Sequence, residues 1–170
     1  MNCVCLGTCG ANWSDLGMPL LTGQYTRALD DKQRIAMPKR LRDAFGSNKG
    51  DRLYVAPGLD GSLSVYDEAS LSAFADRLAD ASPTNRDVRD FTRIFYALTE
   101  VVEIDSQGRI RIPQNLIELA GMTKEVVLVG ARDHVEIWAA QRWQEYLAAK
   151  QPAYDRIAES AFEPRSNASG

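Results

Sequence analysis

The sequence predicts a mainly β protein with short helices, an α+β class in which one unit has been written twice. Three observations carry that prediction. The frame Asp-x-x-x-Arg occurs as Asp30 with Arg34 and again as Asp105 with Arg109. Laid over one another at an offset of 75, residues 30–46 and 105–121 also share Ile35/Ile110, Pro38/Pro113, Leu41/Leu116 and Gly46/Gly121 without a gap; self-similarity at a fixed offset marks a duplicated structural unit. Each frame then runs into a short alternating apolar segment that ends in proline, the pattern of a strand with one buried face.

Within the unit, residues 25–29 and 34–37 read as two strands joined by a polar tip at Asp31, Lys32 and Gln33, a length suited to a hairpin with a bulged turn. The second tip carries Gly108, which takes positive φ freely. Gln33 stands in its place in the first tip and would bear about 1 kcal/mol of strain in the same turn. Alternation turns Ile35 and Met37 to one side and Arg34 and Ala36 to the other, and sets Ile110 and Ile112 against Arg109 and Arg111 in the second copy. Pro38 and Pro113 fit the first turn of a short helix, and Gly46 and Gly121 fit its stop.

Two further strands close each unit, residues 53–55 with 63–66 and residues 126–129 with 135–138, turning at Asp60-Gly61 and near Arg132-Asp133; His134 falls with the last of these strands. Helical spacing follows in Leu71, Phe74, Ala75 and Leu78 and in Ala140, Trp143 and Leu147, while Val88, Phe91, Ile94, Phe95 and Leu98 mark a helix between the copies. Order is expected to fade after Leu147. The expected organisation is a leader at 1–17, a first module with its helix at 22–81, a bridging helix at 82–98, a second module with its helix at 99–147, and a partly disordered segment at 148–170.

At 170 residues and 45% apolar content the chain can bury one core or two small ones, whereas copies of about fifty residues would be marginal alone, so the halves are expected to share a core. No run approaches the ~18–20 apolar residues of a membrane span, and the start lacks a secretory signal, which points to a cytoplasmic protein without membrane contact. Cys3, Cys5 and Cys9 cluster without the two-pair spacing of a zinc site and His134 is the only histidine, so no metal is expected. Residues 1–17 lack periodicity and precede Met18, which reads as a disordered leader or a misassigned start. With no nucleophile motif and no phosphate loop, the chain is expected to be no enzyme, with no catalytic residue, cofactor or small-molecule substrate. Trp138, Trp143 and Tyr146 read as core or interface.

Charge is unevenly distributed beneath a net value of −3. Residues 24–52 hold Arg27, Lys32, Arg34, Lys39, Arg40, Arg42, Lys49 and Arg52 against Asp30, Asp31, Asp43 and Asp51, a local +4; residues 100–121 hold Arg109 and Arg111 against Glu100, Glu103, Asp105 and Glu118, a local −2. A basic stretch on an acidic chain suits either a solvated surface or a polyanion. Across a tight turn an aspartate accepts from turn N–H groups and orients the arginine, so Asp30, Asp105 and Arg109 are expected to stabilise the turns. Arg34, in basic surroundings, is favoured as a functional residue over a purely turn-stabilising one. Arg27 shares a strand face with Leu29 and fits a subunit contact as well as a ligand.

The run Gly23-x-Tyr25, Leu29-Asp30-x-Lys32-x-Arg34-Ile35-x-x-Pro38, then Asp105-x-x-Gly108-Arg109-Ile110-x-Ile112-Pro113, Lys124 to Gly130, and Glu136-Ile137-Trp138 resembles the MraZ family from about residue 21 to residue 147. That resemblance implies two SpoVT/AbrB-type β-barrel modules with swapped hairpins, forming a pseudo-dimer within one chain, and chains closing into a ring homo-oligomer. It implies a transcriptional regulator, cytoplasmic and nucleoid-associated, that binds short direct repeats in double-stranded DNA upstream of the division and cell-wall gene cluster. On it, Lys32 and Arg34 at the first tip meet DNA. Arg34 is expected to clamp a guanine edge, with Lys32, Lys39, Arg40 and Arg42 neutralising phosphates. The alternative is an antitoxin-type interaction module that does not bind a promoter.

Overall fold

The structure, a computed structural model, describes residues 20–46 and 51–162; the expectations for the leader, the three cysteines, Lys49 and residues 163–170 lie outside the described residues. The first copy runs through β1 (Gln24–Ala28), β2 (Arg34–Ala36), α1 (Lys39–Ala44), β3 (Arg52–Pro57), β4 (Leu63–Tyr66) and α2 (Glu68–Ala79). After α3 (Arg86–Leu98) the series repeats as β5 (Glu100–Glu103), β6 (Arg109–Arg111), α4 (Gln114–Leu119), β7 (Glu125–Gly130), β8 (Val135–Ala139) and α5 (Ala140–Lys150), and α6 (Tyr154–Phe162) follows. The mainly β class with short helices and a doubled unit is the observed one.

The strands exchange partners between copies. β1 and β2 share only the bridge of Leu29 with Ile35, because each arm finds its ladder elsewhere: β1 lies antiparallel to β7, β5 to β3, and β2 to β6. The larger sheet has the order β1-β7-β8-β4-β3-β5, and β2 with β6 makes a separate ribbon. Swapping the copies, β1 for β5, β3 for β7 and β4 for β8, returns the same order, which is the swapped-hairpin pseudo-dimer. The expected barrel closure is corrected: the order has two free ends, so the described strands form an open sheet capped by a ribbon.

One core explains the exchange. Strand alternation sends Ile35, Ile110 and Ile112 inward with Leu53, Val55, Leu63, Val65, Leu128, Val135 and Ile137, all fully buried. Leu41 of α1 and Leu116 of α4 seal the same cluster. Residues of both copies alternate through it, so neither half could bury its apolar face by itself. A second layer covers the other side of the sheet, where Phe74 of α2 and Phe95 of α3 pack at 5.0 Å between ring centroids above Ala56 and Tyr66. On α5, Trp143 and Tyr146 lie 5.3 and 5.0 Å from the buried Trp138, which makes this trio packing and not a ligand box.

Three local expectations need correction. Pro38 and Pro113 stand one residue before their helices, with extended ψ of 136° and 144°, because the chain leaves each ribbon strand straight and turns helical only at Lys39 and Gln114. His134 closes the turn ahead of β8, where its carbonyl accepts the Ala131 N–H at 2.9 Å. Order also persists past Leu147: α5 reaches Lys150, and a 3-10 turn at Gln151–Ala153 leads into α6. Pro152 is tolerated there because the first turn of a helix does not need its N–H. No helix among the described residues is long and apolar enough to cross a membrane.

Candidate nucleic-acid interface

The two Asp-x-x-x-Arg tips are built alike. Asp30 Oδ1 accepts the backbone N–H groups of Lys32 and Arg34, both at 2.9 Å, and its Oδ2 receives Arg34 Nε at 2.8 Å and Nη2 at 2.7 Å. Asp105 repeats this with Gln107 at 2.8 Å, Arg109 N–H at 2.9 Å, Nε at 2.8 Å and Nη2 at 2.7 Å. Gln33 has φ 62° where Gly108 has φ 73°, so the same turn forms with and without glycine. At the first tip the Gln33 side chain also meets Gln114.

These bonds favour the charged carboxylates. Hydrogen bonds from the Arg34 side chain and then its backbone pull the Asp30 pKa from 3.8 to about 2, and the backbone and then the side chain of Arg109 do the same for Asp105. A lowered folded-state pKa contributes stability that is whole above 3.8 and drains away as pH falls through about 2. Carbon-detected titration of the two aspartate carboxyls is therefore expected to give midpoints near 2, and Asp30→Asn with Asp105→Asn should remove the tips' share of acid sensitivity in that window. Midpoints near 3.8 for both carboxyls would mean that the bidentate pairs do not persist in solution.

The ribbon joins the tips into one surface. Arg34 pairs in register with Arg111, Ile35 with Ile110, and Ala36 with Arg109. Partners across an antiparallel pair share a face, so the buried isoleucines fix Arg34, Arg109 and Arg111 on the outward side, with Ala36 at the fourth corner. The side chains of Arg34 and Arg109 keep 28% and 24% of their exposure, so neither is sealed inside. Aspartate holds the Nε and Nη2 edge of each, and the Nη1 edge remains for a further acceptor.

The swap also moves the basic helix. Met37 N–H donates to the Gly108 carbonyl at 3.0 Å, which brings α1 against the second tip. There the Arg42 guanidinium covers Gly108 so closely that a Cβ at that position would lie 2.6 Å from Arg42 Cζ; Arg42 Nε is buried without a hydrogen bond. Lys39 and Arg40 of α1 are exposed, and Arg40 reaches Thr22 Oγ1 at 3.4 Å. The first tip instead meets α4, whose Gln114 also donates to Glu118 at 2.6 Å. A positive charge encoded in the first copy, that of Arg42, thus lies against the tip of the second.

Of the residues singled out in the sequence, Arg34 and Arg109 share the ribbon, Arg42 lies over Gly108 of the second tip, Lys32 is exposed at the first tip, and Lys39 and Arg40 are exposed on α1. Arg27 lies on β1, with its guanidinium 5.9 Å from the Tyr25 ring and bonded to the Thr26 carbonyl at 2.7 Å. Arg111, opposite Arg34, is a further candidate on the ribbon: alternation in the sequence sets it on the same side as Arg109, and only the cross-copy register brings it to Arg34. His134 belongs elsewhere, in a cleft with Tyr66 and Arg77. Burial opposes its charged form, yet Glu136 and Asp133, the latter 2.8 Å away, outweigh that and raise its pKa.

Comparison with known proteins agrees with this doubled architecture. A family model described as "MraZ protein, putative antitoxin-like" matches twice, at residues 20–94 and 95–163. A protein named transcriptional regulator MraZ from Clostridium beijerinckii is 40% identical over 140 residues, covering 82% of this chain and 95% of the relative. Proteins of the same name from Alkaliphilus metalliredigens and Heliobacterium modesticaldum are 37% and 36% identical, covering 82% and 85% of this chain and 94% and 98% of the relatives. With both copies matched and relatives above 30% identity across most of their length, the chain belongs to the MraZ family of transcriptional regulators.

Proposed function

We infer that this chain binds double-stranded DNA through the ribbon face, recognising tandem short repeats upstream of the division and cell-wall gene cluster as a ring-shaped homo-oligomer, and so regulates transcription in the cytoplasm at the nucleoid. The observation that carries the reading is the grouping of Arg34, Arg109 and Arg111 on one exposed face, with Arg42 against the second tip. A planar fork suits the paired acceptors of a guanine edge, and an aspartate bound to its other edge holds it ready at little entropic cost. Lys32, Lys39, Arg40 and Arg42 supply phosphate contacts that fix position without reading sequence. Asp30 and Asp105 hold the turns; Arg109 does so as well and lends its free edge to the face.

One ribbon touches too little DNA for strong discrimination. Several ribbons in a ring make each later contact intramolecular, and linked weak sites gain ~10²- to 10⁴-fold in avidity when their spacing matches the repeats. The experiment is a footprint on the DNA upstream of the gene, read at several salt concentrations. Evenly spaced protection is expected, with log K falling by roughly 0.9 per phosphate neutralised per log unit of salt. Absence of protection, or binding indifferent to salt, would remove the reading.

A further inference from the structure

Two surfaces far apart in the chain carry exposed apolar residues bordered by opposite charge. The first is α6. Its Tyr154, Ile157, Ala158, Ala161 and Phe162 fall on one side at helical spacing, and Tyr154, Ile157 and Phe162 are 69%, 41% and 87% exposed. Asp155 and Glu159, one turn apart, border that stripe. A short helix with three large apolar side chains in water is poorly stabilised until its face is covered.

The second is a groove of about 400 Å³ between α2 and α3, lined by Ala75, Leu78, Ala79, Val88 and Tyr96 and rimmed by Arg89 and Arg93. Arg89 spends its Nη1 on the carbonyls of Pro83 and Thr84, at 2.9 and 2.8 Å, which holds its charge at the rim without neutralising it. Arg93 is 72% exposed and meets Asp90 only at 3.3 Å. The groove is therefore apolar on its floor and cationic at its edge, the complement of α6.

We propose that α6 of one chain docks in the α2–α3 groove of a neighbouring copy, Ile157 and Ala161 on the apolar floor and Asp155 and Glu159 toward Arg93 and Arg89. This is helix-in-groove recognition, with apolar burial supplying affinity and charge setting the direction of the helix. Donor and acceptor are different surfaces, so the contact is head-to-tail and repeats from chain to chain until it closes. It rests on the ring reading above and names the contact that builds the ring.

Sedimentation of the full chain tests it. Wild-type protein is expected to run as an oligomer; Ile157→Asp, Glu159→Arg and Arg93→Glu should each shift mass toward the single 18.8 kDa chain with unchanged circular dichroism, and Glu159→Arg combined with Arg93→Glu should recover assembly. Recovery by the reversed pair is an outcome that simple damage to either helix cannot produce. A monomeric wild type, or an oligomer indifferent to Ile157→Asp, would overturn the docking. If promoter protection persists beside that indifference, only the docking falls; if wild-type protein protects no DNA, the functional reading falls whatever the sedimentation.

Discussion

Ile110→Ala lowers stability by about 2–5 kcal/mol, the range for a buried isoleucine that leaves a cavity, and in a chain of this size each kcal/mol moves the melting midpoint by roughly 2–4 °C. The cost is large because Ile110 is fully buried and lies directly opposite Ile35, which is equally buried. These two side chains anchor the whole ribbon to the shared core. Ile35→Ala is expected to cost a similar amount, and the double variant should depart from the sum of the singles by ~0.5–3 kcal/mol, as residues in contact do. Denaturant titration of the four proteins measures the departure. Costs that add to within about 0.5 kcal/mol would mean that the two residues do not meet, and the cross-copy pairing would have to be abandoned.

Arg34→Ala and Arg109→Ala should each weaken promoter binding on the order of ten- to a hundredfold per ribbon, the worth of a bidentate base contact, and a multivalent oligomer compounds that loss until the mobility shift disappears. Size-exclusion profiles should not change, since both residues are on the outward face. The equivalence of the two arginines departs from the asymmetry that local charge suggested. Their pairs with Asp30 and Asp105 match to within a tenth of an ångström, and the basic α1 accompanies the second tip. Arg111→Ala should act differently, weakening all sequences alike and lowering the salt slope by about 1 for a lost phosphate contact. If Arg109→Ala shifts DNA as wild type does while Arg34→Ala does not, only the first tip touches DNA; if neither matters, the ribbon is not the interface.

Much of the unit was legible residue by residue. The tip turns, Gln33 at positive φ included, follow from the Asp-x-x-x-Arg frame, because an aspartate four residues before an arginine can satisfy the turn's N–H groups and the guanidinium at once. The helices α2, α3 and α5 follow from 3.6-residue spacing. The failures are local conflicts of signal. Pro38 and Pro113 suit either side of a helix start, and the tertiary path chose the earlier one. α6 lies past Leu147, where order is expected to fade, and a short stripe left in water makes no long apolar run that would announce it.

The chain by itself determined the duplication, the turns, the inward isoleucines, the outward arginines and the family, since each is written in short-range order or in a fixed offset. Only the tertiary structure decided which strand pairs with which. Swapped and unswapped hairpins have identical periodicity, and the choice rests on contacts between residues about 75 positions apart that bury one core in place of two marginal ones. From that choice it follows that Arg34, Arg109 and Arg111 share a face and that α1 attends the other copy's tip.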